Sequence, residues 1–175
     1  MRTGDGMKQY KPKIGKHVFI HPRATVMGQV TLNDYANIWP GAVLRADINK
    51  IVIGTYSNIQ DNSVVHLESN RGCFVGDYCV VGHRVILHAC TVGNGVLVGM
   101  GAIILNRAHI GDGALIGAGA LVLEGMRIKT ESLYLGAPAR FIRKLSKHEV
   151  RGTIRWAKKY AYMAMEHQSG RFISA

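Results

Sequence analysis

At 175 residues, with 47% hydrophobic and only 19% charged residues, the chain suits one packed domain and is unlike a disordered protein or a coiled coil. No apolar run reaches the roughly 18 residues of a membrane span, and the N-terminus lacks the apolar segment of a secretion signal, so we expect a cytoplasmic protein with no membrane partner. Much of the net charge of +11 lies near the C-terminus, without a helix-turn-helix, RNA-binding or zinc-finger pattern, and we predict no nucleic-acid partner.

The first regular pattern along the chain is a repeat of six residues. Residues 1–13 are polar and poorly patterned, and we assign them to an N-terminal segment. From Ile14 onward a valine, isoleucine or leucine recurs at every sixth position, and the step restarts at Ile53, Val75 and Val92. The 19 positions that share this step are Ile14, Ile20, Val26, Leu32, Ile38, Leu44, Ile53, Ile59, Val65, Val75, Val81, Leu87, Val92, Val98, Ile104, Ile110, Ile116, Val122 and Ile128.

A period of six is neither the 3.6 of a helix nor the simple 2 of one strand. It fits a prism of short strands in which three hexads form one coil, and successive coils stack about 4.8 Å apart as in a parallel sheet. We therefore predict an all-β solenoid, a parallel β-helix, over residues 14–145 with a return segment at its end. Gly or Asn follows many coil starts, as at Gly15, Asn33 and Gly54. We expect the positive φ angles of the corners at these residues.

Two coils are longer than the others. The intervals between coil starts are 18, 21, 22, 17, 18 and 18 residues. The long intervals predict extra loop residues at about 46–52 and 67–74. Because insertions in a solenoid tend to gather where function lies, these two loops are expected to border a functional site.

A helix is predicted after the repeat. The repeat ends at a break that contains Gly and Pro, Leu133–Arg140. Ser146 followed three residues later by Glu149 is a capping box, which marks a helix N-terminus, and we predict a C-terminal helix over residues 146–168. We interpret its basic residues as a solvated or subunit-facing surface. Its small apolar face consists of Val150, Ile154, Ala157, Ala161 and Ala164.

Three histidines fall into register when residues are counted from the start of each coil. His66 and His88 both have offset 13, as does Arg45 one coil earlier, whereas His83 and Asp61 have offset 8. Residues with the same offset stack about 4.8 Å apart in neighbouring coils. The two imidazoles at offset 13 can therefore share one metal ion.

The third histidine has to come from another chain. The two columns are five residues apart, up to roughly 16 Å along an extended strand, whereas zinc–nitrogen bonds are only about 2.0–2.1 Å long. A closed threefold ring places the column of His66 and His88 against the column of His83 in the next subunit, so we predict a homotrimer with metal between its subunits. Three histidines leave a fourth position open, as in catalytic zinc sites. Cys90 is the alternative fourth ligand, and metal-free polar packing is the alternative role for the histidines.

Several short motifs carry a family resemblance. The motifs are Arg45-Ala46-Asp47, Asn58-Ile59-Gln60-Asp61-Asn62, His66, Gly82-His83 and His88. In chain order they resemble the motif set of the γ-class carbonic anhydrases, and the likeness extends over about residues 14–143. It looks closest to the shorter bacterial members that carry a C-terminal helix, and it implies that the hexapeptide-repeat β-helix is left-handed.

The resemblance implies a metal centre and a substrate. His66, His83 and His88 would bind Zn²⁺, or Fe²⁺, which the family also accepts. Gln60 would position the hydroxide or the bicarbonate through its amide, and Asn58 would hold Gln60 in place. The implied activity is the reversible hydration of CO2 to bicarbonate at the subunit interfaces.

Three charged residues are implied to support the interface. Arg45 would form an ion pair with Asp61 of the neighbouring subunit, a pairing that the coil register also predicts. Asp47 would support Arg45 or the interface. A role in trimer assembly alone is the alternative for all three residues.

The chain departs from the family pattern at the step of proton transfer. Ile48 stands where the archetype has a Glu directly after the Arg-x-Asp motif, and the loop Leu67–Gly72 is shorter than the acidic loop of the archetype. Glu68 and Tyr134 are the candidates for the proton acceptor. Two other functions stay open: a non-catalytic, metal-bound trimer that acts as a scaffold or binds bicarbonate, and a hexapeptide-repeat acyltransferase on the same fold.

Overall fold

A column of aliphatic side chains runs through the middle of the molecule and determines its architecture. The computed structural model describes residues 9–172. Sixteen of the nineteen hexad positions are buried, and burial of each such side chain contributes about 1.5–3 kcal/mol. The other three, Ile14, Ile20 and Val26, belong to the first coil, which is the end of the stack within the described part of the chain. Of the predicted N-terminal segment, residues 1–13, the first eight lie outside the described residues.

The chain winds into a left-handed parallel β-solenoid of about seven turns, as predicted. It has three faces of short strands. Face 1 is an eight-stranded sheet made of β2 (Phe19–Ile20), β4 (Asn37–Ile38), β6 (Asn58–Ile59), β9 (Val80–Val81), β12 (Leu97–Val98), β15 (Leu115–Ile116), β18 (Ser132–Leu135) and β19 (Arg140–Lys144). Faces 2 and 3 form one continuous sheet, because two long strands, β3 (Thr25–Leu32) and β5 (Val43–Ile53), turn the corner between them.

The remaining strands of that sheet extend it along the solenoid axis. Face 2 continues with β7 (Val64–His66), β10 (Ile86–His88), β13 (Ile103–Ile104) and β16 (Leu121–Val122). Face 3 consists of β1 (Lys13–Ile14), β8 (Cys73–Val75), β11 (Thr91–Val92), β14 (His109–Ile110) and β17 (Arg127–Ile128). Paired strands are parallel throughout, apart from the antiparallel return of β19 along β18.

The corner conformations differ from the prediction. Positive φ angles occur two residues after the expected positions, at Tyr35, Tyr56 and Tyr78, with φ values of 60°, 58° and 56°. The three rings stack on one another along this corner, with centroids 4.5 and 5.4 Å apart. Gly54 is small for another reason, since a Cβ atom there would lie 2.3 Å from the backbone of Gly76 in the next coil. This glycine therefore permits close stacking of coils and does not supply an unusual φ.

The prediction of a loop at residues 46–52 is wrong. Residues 46–52 continue as part of the strand Val43–Ile53, whose pairing with β3 shifts register between Gly28 and Val30. The extra residues are thus accommodated by a bulge in a long strand, where backbone hydrogen bonding is largely kept. The second insertion does form a turn, which is closed by an antiparallel bridge between Glu68 and Arg71.

The C-terminal helix α1 (Lys147–Gln168) begins with the predicted capping box. The Ser146 hydroxyl accepts a hydrogen bond from the Glu149 N–H at 3.3 Å, and the Glu149 carboxylate accepts one from the Ser146 N–H at 2.8 Å. The helix runs across face 1 and contacts β2, β4, β6 and β9. Its buried residues are Thr153, Ala157, Ala161 and Ala164. Among the described residues, no helix combines the length and apolar character needed to cross a bilayer.

The buried face of α1 differs slightly from the predicted stripe. Thr153 is buried although it is polar, and Val150 and Ile154 are half-buried. Near the C-terminal end of the helix, Ala164 packs against Phe19 and Trp39 in a second small core. The helix therefore covers the part of face 1 that carries the outward side chains of β4 and β6.

The helix cap predicts a pH-dependent contribution to stability. Hydrogen bonds from Arg143 and Ser146 lower the pKa of Glu149 to about 2. A carboxyl group whose folded-state pKa is lowered stabilises the fold above its unfolded pKa of about 4.3 and loses this effect as the pH falls through the folded value. We expect Glu149→Gln to lower the melting temperature at neutral pH and to melt like the parent protein near pH 2.

Thermal melts followed by circular dichroism between these two pH values measure the difference. Glu124→Gln is a suitable control, because Glu124 is exposed and its nearest Arg107 nitrogen is 3.5 Å away. A constant difference between the Glu149→Gln variant and the parent across this pH range would contradict the assignment.

Candidate metal centre

Two of the predicted ligands lie side by side on face 2. His66 ends β7 and His88 ends β10, and they are direct partners in the parallel register. Their neighbours Val65 and Leu87 are fully buried. Because side chains alternate along a strand, the two imidazoles point outward, and His66 Nδ1 lies 3.2 Å from His88 Nε2.

The Nδ1 atom of His88 contacts Asn106, a residue that the sequence analysis missed. Asn106 Oδ1 lies 2.5 Å from His88 Nδ1, and Asn106 Nδ2 donates to Glu68 Oε1 at 2.5 Å. The strands β10 and β13 pair Leu87 with Ile104, 17 residues later, so Asn106 lies one residue beyond the position that continues this register from His88. The hexad count places Leu105 at offset 13 and therefore did not point to Asn106.

The second nitrogen of His66 faces an acidic residue. His66 Nε2 lies 3.2 Å from Asp47 Oδ1, and the Arg45 guanidinium donates to the other oxygen of the same carboxylate. Partial desolvation opposes ionisation of Asp47, but the hydrogen bonds from Arg45 and His66 outweigh it and lower the pKa of Asp47. Asp47 thus supports Arg45 within one chain, and it also touches a candidate metal ligand.

His83 lies at a different corner of the prism. Its Nδ1 is 2.9 Å from Asp61 Oδ2, and 43% of its side chain is exposed. The carboxylate fixes the proton on Nδ1 and leaves Nε2 free, an arrangement common among histidines that bind metals. Within residues 9–172 of one chain, no three His, Cys, Asp or Glu side chains converge closely enough to hold a metal ion.

Gln60 and Asn58 point outward from face 1 and are buried beneath α1. Asn58 Nδ2 donates to the carbonyl oxygen of Cys79 at 3.3 Å, and Gln60 Nε2 donates to Asn58 Oδ1 at 3.0 Å. A carbonyl oxygen can only accept, so the first bond sets the orientation of Asn58 and the second sets that of Gln60. Gln60 therefore presents its carbonyl oxygen, Oε1, away from Asn58.

A cavity of about 220 Å³ lies next to these residues, between face 1 and the helix. Gln60 and His83 lie on its wall, so it joins the two site residues that belong to this side of the prism. The remaining wall is mostly apolar. It is formed by Val80, Gly82, Leu97, Val98, Gly99, Met100, Ala118, Trp156 and Tyr160.

Two other candidates lie away from the histidines. Tyr134 is buried in the core with its ring against Phe141. It pairs with Ile116 on a strand three positions beyond β9, which is about 14 Å along the solenoid. Within the chain it packs in the core, and its role as a proton acceptor stays a prediction. Cys90 is also buried in the core, with its Sγ 3.7 Å from Cys73 Sγ, so it does not reach the outward histidines as a fourth ligand.

The remaining predicted residues have partners inside the chain. Glu68 is engaged by Asn106, while Arg45 contacts Asp47 and Asp61 contacts His83. The predicted pairing of Arg45 with Asp61 would join different chains, so it stays a prediction.

The histidine pair fits a tetrahedral metal ion. Two ligands on such an ion, each at the usual zinc–nitrogen distance of about 2.0–2.1 Å, are about 3.3 Å apart. The separation of 3.2 Å between His66 Nδ1 and His88 Nε2 is close to this value. Imidazole nitrogens suit Zn²⁺ and Fe²⁺ alike, so the donor set does not choose between them.

Comparison with known proteins identifies the family. The bacterial transferase hexapeptide family, described by six repeats, matches residues 11–46 and 89–124. A probable carbonic anhydrase of Methanocaldococcus jannaschii is 48% identical over 86% of this chain and 95% of its own length. The mitochondrial gamma carbonic anhydrase 2 of Arabidopsis thaliana is 38% identical, covering 90% of this chain and 59% of the plant protein.

A solved structure shows the same fold. The crystal structure of a hexapeptide transferase family protein from Anaplasma phagocytophilum superposes with a TM-score of 0.84 at 38% identity, covering 88% of this chain and 91% of the other. Identity with proteins named carbonic anhydrase, one of them of the gamma class, extends over most of the chain. The chain belongs to the γ-class carbonic anhydrase family and is a carbonic anhydrase-like enzyme.

Proposed function

We propose that this protein catalyses the reversible hydration of CO2 to bicarbonate, as a homotrimer with a metal ion between subunits. The observation that carries the proposal is the pair of outward imidazoles, whose nitrogens lie 3.2 Å apart. His88 and His83 each have Nδ1 engaged by another side chain, so that each offers Nε2. The carbonic anhydrase names of the relatives support the same activity.

The surface beside the histidine pair supports assembly. Five outward aliphatic residues are stacked in register along face 2, next to the strand ends that carry His66 and His88. Two of them are exposed in the single chain. An apolar stripe of this kind, flanked by polar groups, is typical of a subunit contact. The stripe consists of Val43, Val64, Ile86, Ile103 and Leu121.

A closed ring of three subunits would complete the ligand set. It would bring the histidine pair of one subunit to the corner of the next that carries His83, where Met100 is 57% exposed. Arg45 would then meet Asp61 of the neighbour. His66, His88 and the neighbour's His83 would hold Zn²⁺ or Fe²⁺, and the fourth position would stay open. When bound, the ion supplies Lewis-acid activation of water.

The chain's own residues supply orientation and a dry surface. Gln60 Oε1 is free to accept a hydrogen bond from the O–H of the attacking group, which would aim a lone pair of that oxygen at CO2. Asn58 holds Gln60 in this orientation through the 3.0 Å hydrogen bond. The apolar walls of the adjoining cavity, formed by residues such as Leu97 and Trp156, favour CO2 over water.

Two measurements separate this function from its alternatives. Stopped-flow CO2 hydration by the metal-loaded protein gives rates above background if the proposal is correct. Background rates with full metal occupancy would indicate a non-catalytic trimer that binds bicarbonate or acts as a scaffold. A strong rise in melting temperature with acetyl-CoA, in protein that purifies without metal, would indicate an acyltransferase.

Shared ligation between chains predicts complementation. The variants His83→Ala and His88→Ala should each bind little metal alone. In a mixed trimer, the intact His66 and His88 of one variant face the intact His83 of the other, so one complete site forms. We expect stoichiometric metal to return to one site per mixed trimer, measured by metal analysis after co-expression with different affinity tags.

The same experiment has an internal control. Two preparations of the same variant with different tags should form trimers without regaining metal. Mixed trimers of normal mass that hold no metal would show that one chain does not share its ligands with the next.

The orientation of Gln60 predicts a separate effect on turnover. Gln60→Leu keeps the volume but removes the free carbonyl oxygen, so we expect kcat for CO2 hydration to fall by about 10²-fold while the metal content is unchanged. Gln168→Leu, at the far end of α1, is a matched control and should leave kcat unchanged. Equal rates for Gln60→Leu and the parent would exclude the role assigned to Gln60.

A further inference from the structure

We propose that Asn106 is a positioning residue for the metal ligand His88, and that Glu68 serves to orient Asn106. The inference deepens the proposed function, since it rests on His88 being a ligand. The three side chains form a continuous path from Glu68 Oε1 through the Asn106 amide to His88 Nδ1, with both contacts at 2.5 Å. They come from three different coils and meet only in the folded solenoid.

The direction of every hydrogen bond follows from the charged end of this path. An ionised carboxylate can only accept, so Asn106 turns its NH2 group toward Glu68 and its Oδ1 toward His88. His88 must then carry its proton on Nδ1. Its Nε2, on the side that faces His66, is left with a free lone pair, which is the form that binds a metal.

The insertion in the chain explains how Glu68 reaches this position. The backbone N–H of Glu68 donates to the Arg71 carbonyl at 3.0 Å, and the Arg71 N–H donates back at 3.2 Å, which closes a tight turn. The side chain of Asn49 donates to the carbonyl of Ser69 at 3.0 Å and ties this turn to the neighbouring long strand. The extra residues therefore hold a carboxylate beside Asn106. This contact assigns Glu68 a fixed structural partner rather than the part of a mobile proton acceptor.

The histidine tautomer gives a test that does not depend on activity. Ring nitrogen shifts of ¹⁵N-labelled histidine distinguish the two neutral tautomers in metal-free protein, above the ordinary imidazole pKa of about 6.5. The His66→Ala background is used so that His66 cannot hold Nε2 of His88. We expect His88 to be protonated on Nδ1, and we expect Asn106→Leu in that background to introduce the Nε2-protonated form. An Nε2-protonated His88 in the presence of Asn106, or an unchanged tautomer in Asn106→Leu, would overturn the proposal.

Metal affinity gives the second readout, in protein that keeps His66. Chelator competition with Zn²⁺ should show binding weakened by about 10–100-fold in Asn106→Leu, the usual effect of losing a partner that orients a ligand. The double variant Glu68→Gln with Asn106→Asp reverses the donor and acceptor of the outer contact and still offers a carboxylate to Nδ1. It should bind Zn²⁺ far more tightly than Asn106→Leu. Parent-like affinity in Asn106→Leu, or no recovery in the double variant, would overturn the proposal.

Folding and function are controlled separately. If Asn106→Leu does not fold, Glu68→Leu applies the same tautomer test, because it removes the group that orients the amide. Glu68→Gln alone can still accept from Asn106 but can also donate to it, so it removes the acceptor-only constraint, and we expect its tautomer ratio and Zn²⁺ affinity to lie between those of the parent and of Asn106→Leu. Should the parent protein fail to hydrate CO2, the proposed function is lost, yet the tautomer and Zn²⁺ results still decide the role of Asn106.

Discussion

Parallel stacking of coils, residue upon residue, is the constraint on which the rest of the molecule depends. The buried aliphatic at each hexad leaves its two neighbours in the strand pointing outward, and parallel pairing repeats that placement about 4.8 Å further along. His66 and His88 are 22 residues apart in sequence, yet they lie in register because Val65 and Leu87 beside them are both fully buried. Moving either imidazole away would require slipping a coil and exposing its core residue. The fold therefore keeps the two imidazoles side by side even when no ligand is bound.

Groups that can only accept hydrogen bonds determine how the outward side chains are oriented. The path through Asn58 to Gln60 starts at a main-chain carbonyl, and the path through Asn106 to His88 starts at a carboxylate. His83 is anchored directly by a carboxylate. Amide groups and imidazoles can each be turned in two ways, and an acceptor at the end of a path removes that freedom. The candidate site is thus preorganised by its second layer of residues, and this reduces the entropy lost when a ligand binds.

The features of the structure that could be predicted from the sequence are those that follow from a fixed spacing between residues. The capping box at Ser146 and the alignment of His66 with His88 could be predicted because each follows from fixed spacing. Asn106 could not, because its partner lies across a coil that is one residue short and the period breaks there. Tyr134 continues the repeat frame six residues after Ile128 and is buried, as that frame predicts for an inward residue.

His83 lies apart from the other two histidines within the chain, and the proposed metal site therefore draws on a second chain. The corners of the prism are held by a continuous buried core, and within residues 9–172 the columns of His83 and of the His66–His88 pair stay apart. Helix α1 covers part of face 1 and buries Gln60, yet it leaves 43% of the His83 side chain exposed at the adjoining corner. Covering that corner with the helix would close the site to a neighbour, whereas leaving all of face 1 uncovered would hydrate Gln60 and the apolar cavity. The position of the helix therefore keeps the orienting amide dry and the third imidazole accessible to another subunit.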